Sequence, residues 1–147
     1  MSIAPETYRH WRKALGPLRR GRGHSPCFSS GDLVAVAVIR SLVVDLKVRV
    51  GALGPIAQPL FELCNASPWP VLERTKLIID LPEGRLQLRP ELAESLDDGP
   101  TITIPLGPVV AGLRKQLLAA NDVQEQGSLR FPPIPVGAAA AVGGRRP

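Results

Sequence analysis

Long regular elements are closed to this chain, because proline and glycine interrupt it at short intervals. Sixteen prolines and fourteen glycines stand in 147 residues, clustered at the junctions between apolar segments. Proline lacks the amide hydrogen that a helix interior needs, and glycine belongs to turns and caps, so short helices are predicted. The length suffices for one domain, or for one compact domain with a small appendage and a tail. With 44% apolar and 21% charged residues, the composition is that of a globular protein. No run approaches the ~18 consecutive apolar residues of a membrane span. The basic N-terminus has no apolar signal core behind it, so neither a membrane partner nor secretion is expected. Cys27 and Cys64 are isolated, without CxxC spacing. They fit reduced thiols of a cytoplasmic protein rather than a disulfide or zinc framework, with Cys64 a small core residue.

Charge is distributed unevenly. Residues 1–24 hold Arg9, Arg12, Lys13, Arg19, Arg20 and Arg22 against one carboxylate, Glu6, a local balance of +5 that equals the net charge of the whole chain. Residues 1–50 carry +6, residues 51–100 carry −4, and the last 47 carry +3. A basic front joined to an acidic middle implies that one end faces a polyanion and the other does not.

The first helix is predicted over about Pro5–Leu15. Pro5 suits the first helical position, Glu6 complements the positive helix end, and Gly16-Pro17 stops it. Tyr8, Trp11 and Leu15 make its apolar face, leaving Arg9, His10, Arg12 and Lys13 for solvent or ligand. Residues 16–30, with glycines at 16, 21 and 23 and prolines at 17 and 26, are predicted as a hairpin or loop. Arg19, Arg20, Arg22 and His24 lie near its tip. Ser29, Ser30 and Asp32 are N-cap candidates for a helix to about Leu46, apolar nearly all round and therefore the buried spine. Leu53–Cys64 reads as another helix, with Pro55 in its first turn and Ile56, Leu60, Phe61 and Leu63/Cys64 facing inward.

A boundary is expected at Asn65–Pro70, after which the hydrophobic period changes. Lys76–Asp80 and Arg85–Arg89 flank a turn at Pro82-Glu83-Gly84 and read as a β-hairpin. Thr101–Leu106 alternates as a third strand. Val109–Ala120 reads as a helix burying Val110, Leu113, Leu117 and Leu118. The acidic residues Glu91, Glu94, Asp97 and Asp98 suit the solvated face and end of a short helical turn. From Asn121 the composition has low complexity, as expected of a disordered extension. The fold class is α+β, with units at 1–66 and 71–120 and a tail at 121–147.

Laid out this way, the first ~66 residues resemble the winged helix-turn-helix of MerR-type DNA-binding proteins. The matching positions are Pro5, Thr7, Tyr8, Arg9, His10 and Trp11 of the recognition helix, Pro17 with the wing arginines, and Phe28, Ser29, Asp32 and Leu33 opening the next helix. The resemblance implies that Arg9, His10 and Arg12 face the major groove or its flanking phosphates, while Arg19, Arg20 and Arg22 contact the backbone from a wing. It also implies that Trp11 and Phe28 are core aromatics setting the helix–wing angle. It begins at the family's second helix, so a brace for helix 5–15 is expected from the C-terminal sheet or another subunit. The long dimerisation coiled coil with its effector site has no counterpart. Metal sensing, drug sensing and promoter untwisting are therefore not carried over.

The DNA-binding set is thus Arg9, His10, Arg12, Lys13, Arg19, Arg20, Arg22 and His24. The expected role is a sequence-specific binder of double-stranded DNA, a transcriptional regulator or excisionase-like factor, paired as a homodimer through residues 75–120. The competing class is a protein–protein adaptor whose acidic, sheet-bearing residues 71–120 are the working surface. An enzyme is not expected. No nucleophile is paired with a base, no carboxylates show metal spacing, and Gly51-Ala-Leu-Gly54-Pro lacks the Gly-Lys-Ser/Thr of a phosphate loop. No cofactor and no metal is implied.

Overall fold

Helix α1 (Pro5–Ala14) opens with a proline at a position that needs no amide hydrogen bond, and carries Glu6 in its first turn and Arg12 and Lys13 in its last. The structure, a computed structural model, describes residues 3–19, 28–94 and 99–124, the side chains of 122–124 excepted. α1 ends where Leu15 turns extended and its N–H bonds to the Trp11 carbonyl at 2.8 Å. A 3-10 turn over Gly16–Arg19 follows, with Pro17 and Leu18 buried and packed toward α3 (Gly54–Ala66). The sequence suggested a loop from residue 16. Pro17 fixes a helical φ, and burial of Leu18 draws the chain into the core.

Helix α2 (Ser30–Arg40) starts at a reciprocal cap. Ser29 Oγ accepts the Asp32 N–H at 3.0 Å, and Asp32 Oδ2 accepts the Ser29 N–H at 3.0 Å. After Arg40 the helix widens into a π turn over Ser41–Asp45, where the Leu46 N–H reaches back to the Ser41 carbonyl at 3.1 Å. Lys47 then adopts a left-handed conformation with φ 59°. This departs from the spine predicted from the sequence: Val34, Val38, Ile39 and Leu42 are buried, but Val44 and Leu46 face solvent. The widened turn rotates them off the buried stripe.

The chain re-enters the core through a 3-10 turn over Val50–Leu53, and α3 follows with Pro55 in its first turn and Ile56, Leu60, Phe61 and Cys64 buried. Gly31 sets the α2–α3 spacing. A Cβ there would lie 2.7 Å from both the Asn65 Cα and the Cys64 carbonyl oxygen, so only glycine allows this approach. Cys64 is buried as predicted, and burial, aided by the charge of Asp32, pushes its thiol pKa up to about 12.

A short helix α4 (Trp69–Leu72) leads into β1 (Thr75–Asp80), which pairs antiparallel with β2 (Arg85–Pro90) and with β3 (Ile102–Pro105) in the order β2-β1-β3. The turn uses Gly84 at φ +64°. Leu77 opposes Leu88 and Ile104, and Ile79 opposes Leu86 and Ile102, which makes the inner face. Ile78 is buried on the other face between Gln87 and Thr103. α5 (Leu106–Gln124) starts directly after β3 and packs on α2 and β1. A Cβ on Gly107 would meet the Glu73 carbonyl oxygen at 2.9 Å, and Arg114 pairs with Glu73 at 2.8 Å. These contacts seat α5 against the end of α4.

One contiguous cluster runs from Trp11, Leu15 and Leu18 through Val38, Leu53 and Leu60 to Leu77, Ile79, Leu106 and Val110. The segments on either side of Asn65–Pro70 therefore share a core. The mixed α+β class is as read from the sequence, and the hairpin and third strand lie where the alternation put them. Other expectations are corrected. Phe28 is 40% exposed and meets Tyr8 edge-on, with ring centroids 6.5 Å apart, instead of entering the core. Leu117 and Leu118 are exposed, because α5 outruns the surface it packs on after Leu113. Glu91 lies in a turn rather than a helix, and Glu94 follows it exposed. α5 takes in Asn121, the first residue assigned to the tail. Asp97, Asp98, Cys27 and the rest of the tail from residue 125 lie outside the described residues.

Candidate nucleic-acid interface

The residues of α1 divide by angle. At about 100° per residue, Tyr8, Trp11 and Leu15 fall on one side of the cylinder, and Arg9 and Lys13 fall on the other, flanked by Arg12 and His10. Burial follows that division. Trp11 and Leu15 are buried and Tyr8 half-buried, whereas Arg9, His10, Arg12 and Lys13 are all exposed. The aromatic anchor is what presents the basic face: truncating a buried tryptophan costs about 3–5 kcal/mol, so Trp11 fixes the helix and its opposite side is held outward. The principal packing partner of α1 beyond its own flanking turn is the 3-10 turn Val50–Leu53. That turn takes the bracing role which the sequence had assigned to the C-terminal sheet or a second subunit.

Among the described residues, Arg9, His10, Arg12 and Lys13 have neither an ion-pair nor a side-chain hydrogen-bond partner. Glu6, in the first turn, is the one carboxylate of the helix. Arg19 is placed differently from the sequence expectation. Its Nε donates to the Arg12 carbonyl at 3.0 Å and its Nη2 donates to the Lys13 carbonyl. The guanidinium thus closes the C-terminal end of α1, where carbonyls lack helical partners. It belongs to the helix end rather than to a wing tip. Among the described residues, Arg9, Arg12, Lys13 and Arg19 together line an open hollow of about 460 Å³. Arg20, Arg22 and His24 lie outside the described residues.

Two cations were not in the sequence-derived set. Lys47 and Arg49 are exposed on the segment that leads into Val50–Leu53, the turn against which α1 packs. Their alternation with Val48 and Val50 was the available signal. Nothing in it pointed to α1, because the approach of the following turn Val50–Leu53 to that helix is a tertiary contact.

A second polar cluster stands at the start of α2. Asn65 Nδ2 donates to Asp32 Oδ1 at 2.8 Å and to the Phe61 carbonyl at 2.8 Å, while Ser29 Oγ donates to Asn65 Oδ1. Trp69 Nε1 donates to the Ser30 carbonyl at 3.1 Å. All but the Asn65–Phe61 bond, which lies within α3, join the start of α2 to α3 or α4, so the cluster's work is structural. Among the described residues no group of three or more His, Cys, Asp or Glu side chains could hold a metal ion, and no helix is long and apolar enough to cross a membrane. No protein-family model matches the chain, and no curated protein or solved structure is similar to it.

Proposed function

We propose that the protein binds double-stranded DNA through the basic face of α1, with the basic stretch that follows the 3-10 turn, Arg20 and Arg22 included, contacting the backbone as the wing does in MerR-type proteins. In this reading it is a sequence-specific regulator or excisionase-like factor. The observation that carries the proposal is the exposed set Arg9, His10, Arg12 and Lys13, unpaired among the described residues, with Arg9 and Lys13 opposite the buried Trp11 and His10 and Arg12 flanking them. Ten helical residues span about 15 Å, and a B-form major groove about 12 Å wide admits one helix. Arginine at position 9 suits either a guanine edge or a phosphate, because its planar fork bonds both in pairs. Arg19 holds the helix end at which Lys13 and Arg12 project. Lys47 and Arg49 add charge beside the helix, and Arg20 and Arg22 add it from the wing.

A salt titration of the full chain on duplex DNA tests the reading. Each neutralised phosphate contributes about −0.9 to the slope of log K against log salt. Four to six contacts therefore give a slope of about −4 to −5, and an affinity that ignores ionic strength would sink the proposal. Arg20→Ala is expected to weaken binding to all sequences alike and to shallow that slope by about 1.

Pairing of two copies fits the same reading, since two-fold symmetry doubles the contacts of a small domain. Leu117 and Leu118, exposed on the stretch of α5 beyond the core, are the side chains that support it.

A further inference from the structure

The seam between α2 and α5 opens into a cleft of about 220 Å³, lined by Ala37, Arg40 and Ser41 on one side and by Val109, Gly112 and Leu113 on the other, with Pro108 and Gln116 at its rim. No residue of α1 lines it. Among the described residues its walls are apolar except where Arg40, Ser41 and Gln116 stand, and none that lines it is a carboxylate. Arg40 is half-buried, and among the described residues it has neither an ion-pair nor a side-chain hydrogen-bond partner. Its position in the last turn of α2 complements the helix dipole, and no described side chain supplies its guanidinium with an acceptor. Arg114, also on α5, is tied to Glu73 at 2.8 Å. A carboxylate in the cleft would give the guanidinium a charge-assisted, paired acceptor.

Two further features shape the cleft. Ser41 is the first residue of the π turn, a departure from α-geometry that recurs at functional sites. Gly112 leaves space in the α5 wall: a Cβ built there would meet nothing within 4 Å. A cleft of about 220 Å³ admits a ring-sized acid with its apolar part against Val109 and Leu113.

We infer that the α2–α5 cleft is a binding site for a small organic anion, a carboxylate on an apolar body of about benzoate size, held by Arg40 and Ser41. The site is separate from the α1 face and does not depend on DNA binding. Benzoate, with neutral benzamide as its control, tests it by titration into the ¹⁵N-labelled full chain. Saturable shifts are expected at the amides of Ala37, Ser41 and Gly112, with benzamide at least tenfold weaker. Arg40→Gln is expected to reduce the benzoate affinity at least tenfold. Gly112→Leu keeps the charge and fills the cleft, and is expected to abolish the shifts, so the test survives if Arg40→Gln fails to fold. The inference is overturned if benzoate does not bind, if its shifts fall on α1 around Arg9–Lys13 instead, if benzamide binds equally, or if a folded variant of either kind binds as wild type.

Discussion

The start of α2 and the outer face of α1 treat polar groups in opposite ways. At the first, Ser29, Asp32, Asn65 and Trp69 are bonded to one another or to nearby carbonyls, mostly at 2.8–3.1 Å. At the second, Arg9, His10, Arg12 and Lys13 are unbonded among the described residues. Polar side chains at the start of α2 join one helix to the next, each such hydrogen bond contributing about 0.5–1.5 kcal/mol net. The α1 set carries no such obligation. Its charge is free to meet a ligand, and its loss is expected to leave the fold intact.

The comparison is broken most forcefully at Gly31. Replacing it with alanine puts a Cβ within 2.7 Å of the Asn65 backbone and the Cys64 carbonyl, so α3 must move and the Ser29–Asp32–Asn65 bonds must stretch. Removing a glycine from a helix gains up to about 1 kcal/mol, but overpacking against backbone outweighs that gain. A net loss of about 3 kcal/mol is expected, seen as a lower urea midpoint with an unchanged slope. A midpoint within experimental error of wild type would show that α2 and α3 do not depend on this approach.

Much of this architecture was legible in the residues. The apolar segments Lys76–Asp80 and Arg85–Arg89 about the Pro82-Glu83-Gly84 turn, and the alternation of Thr101–Leu106, located the sheet. Ser29 and Asp32 announced the start of α2 by cap chemistry, and the aromatic stripe of α1 predicted which side would be left basic. What sequence could not supply was contact between elements. Asn65 carries no local signal: it matters only because Gly31 lets α3 close on the α2 cap. The MerR-type resemblance implied a core role for Phe28, yet it sits just outside the cap and meets Tyr8 edge-on. Leu117 and Leu118 continue a helical stripe whose partner surface stops at Leu113, a limit set by the size of the sheet. Arg19 was assigned to the wing by composition and diverted to the α1 carbonyls by the 3-10 turn.

A smaller effect tests the same cluster through pH. The Cys64 thiol, raised from an ordinary 9.0 to about 12 by burial and by Asp32, stays protonated in the fold while it ionises in the unfolded chain. Above pH 9 the unfolded state therefore binds fewer protons than the native one, and stability falls as pH rises toward 12. The decline attributable to this thiol is at most about 1.4 kcal/mol per pH unit. It is expected in wild type and missing from Cys64→Ala when both are unfolded in urea at pH 8, 9 and 10. Parallel declines in the two proteins would place the thiol outside the closed cluster.

Arg19 stands between the two regions, a cation whose donors are spent on carbonyls of the very helix that bears the free ones. Arg19→Ala is expected to cost about 1 kcal/mol, the net worth of hydrogen bonds lost at an exposed helix end. It is also expected to fray α1 at Arg12 and Lys13, measurable as faster amide exchange confined to that last turn. Uniform exchange across α1 in the variant would show that the guanidinium holds nothing.

The smallest expected effect on stability separates the regions most sharply. Arg9 lies in the middle of α1, away from the termini where charge interacts with the helix dipole, and glutamine matches arginine closely in helix propensity. Arg9→Gln is therefore expected to leave the unfolding midpoint within about 0.5 kcal/mol of wild type. The same substitution is expected to weaken DNA binding by about 1–3 kcal/mol if Arg9 reads a base. Measured side by side on one preparation, the two numbers decide what the exposed charge is for. A residue that belonged to the fold would lose both together, and a merely solvated one would lose neither. Only a residue held outward for a ligand loses the second alone.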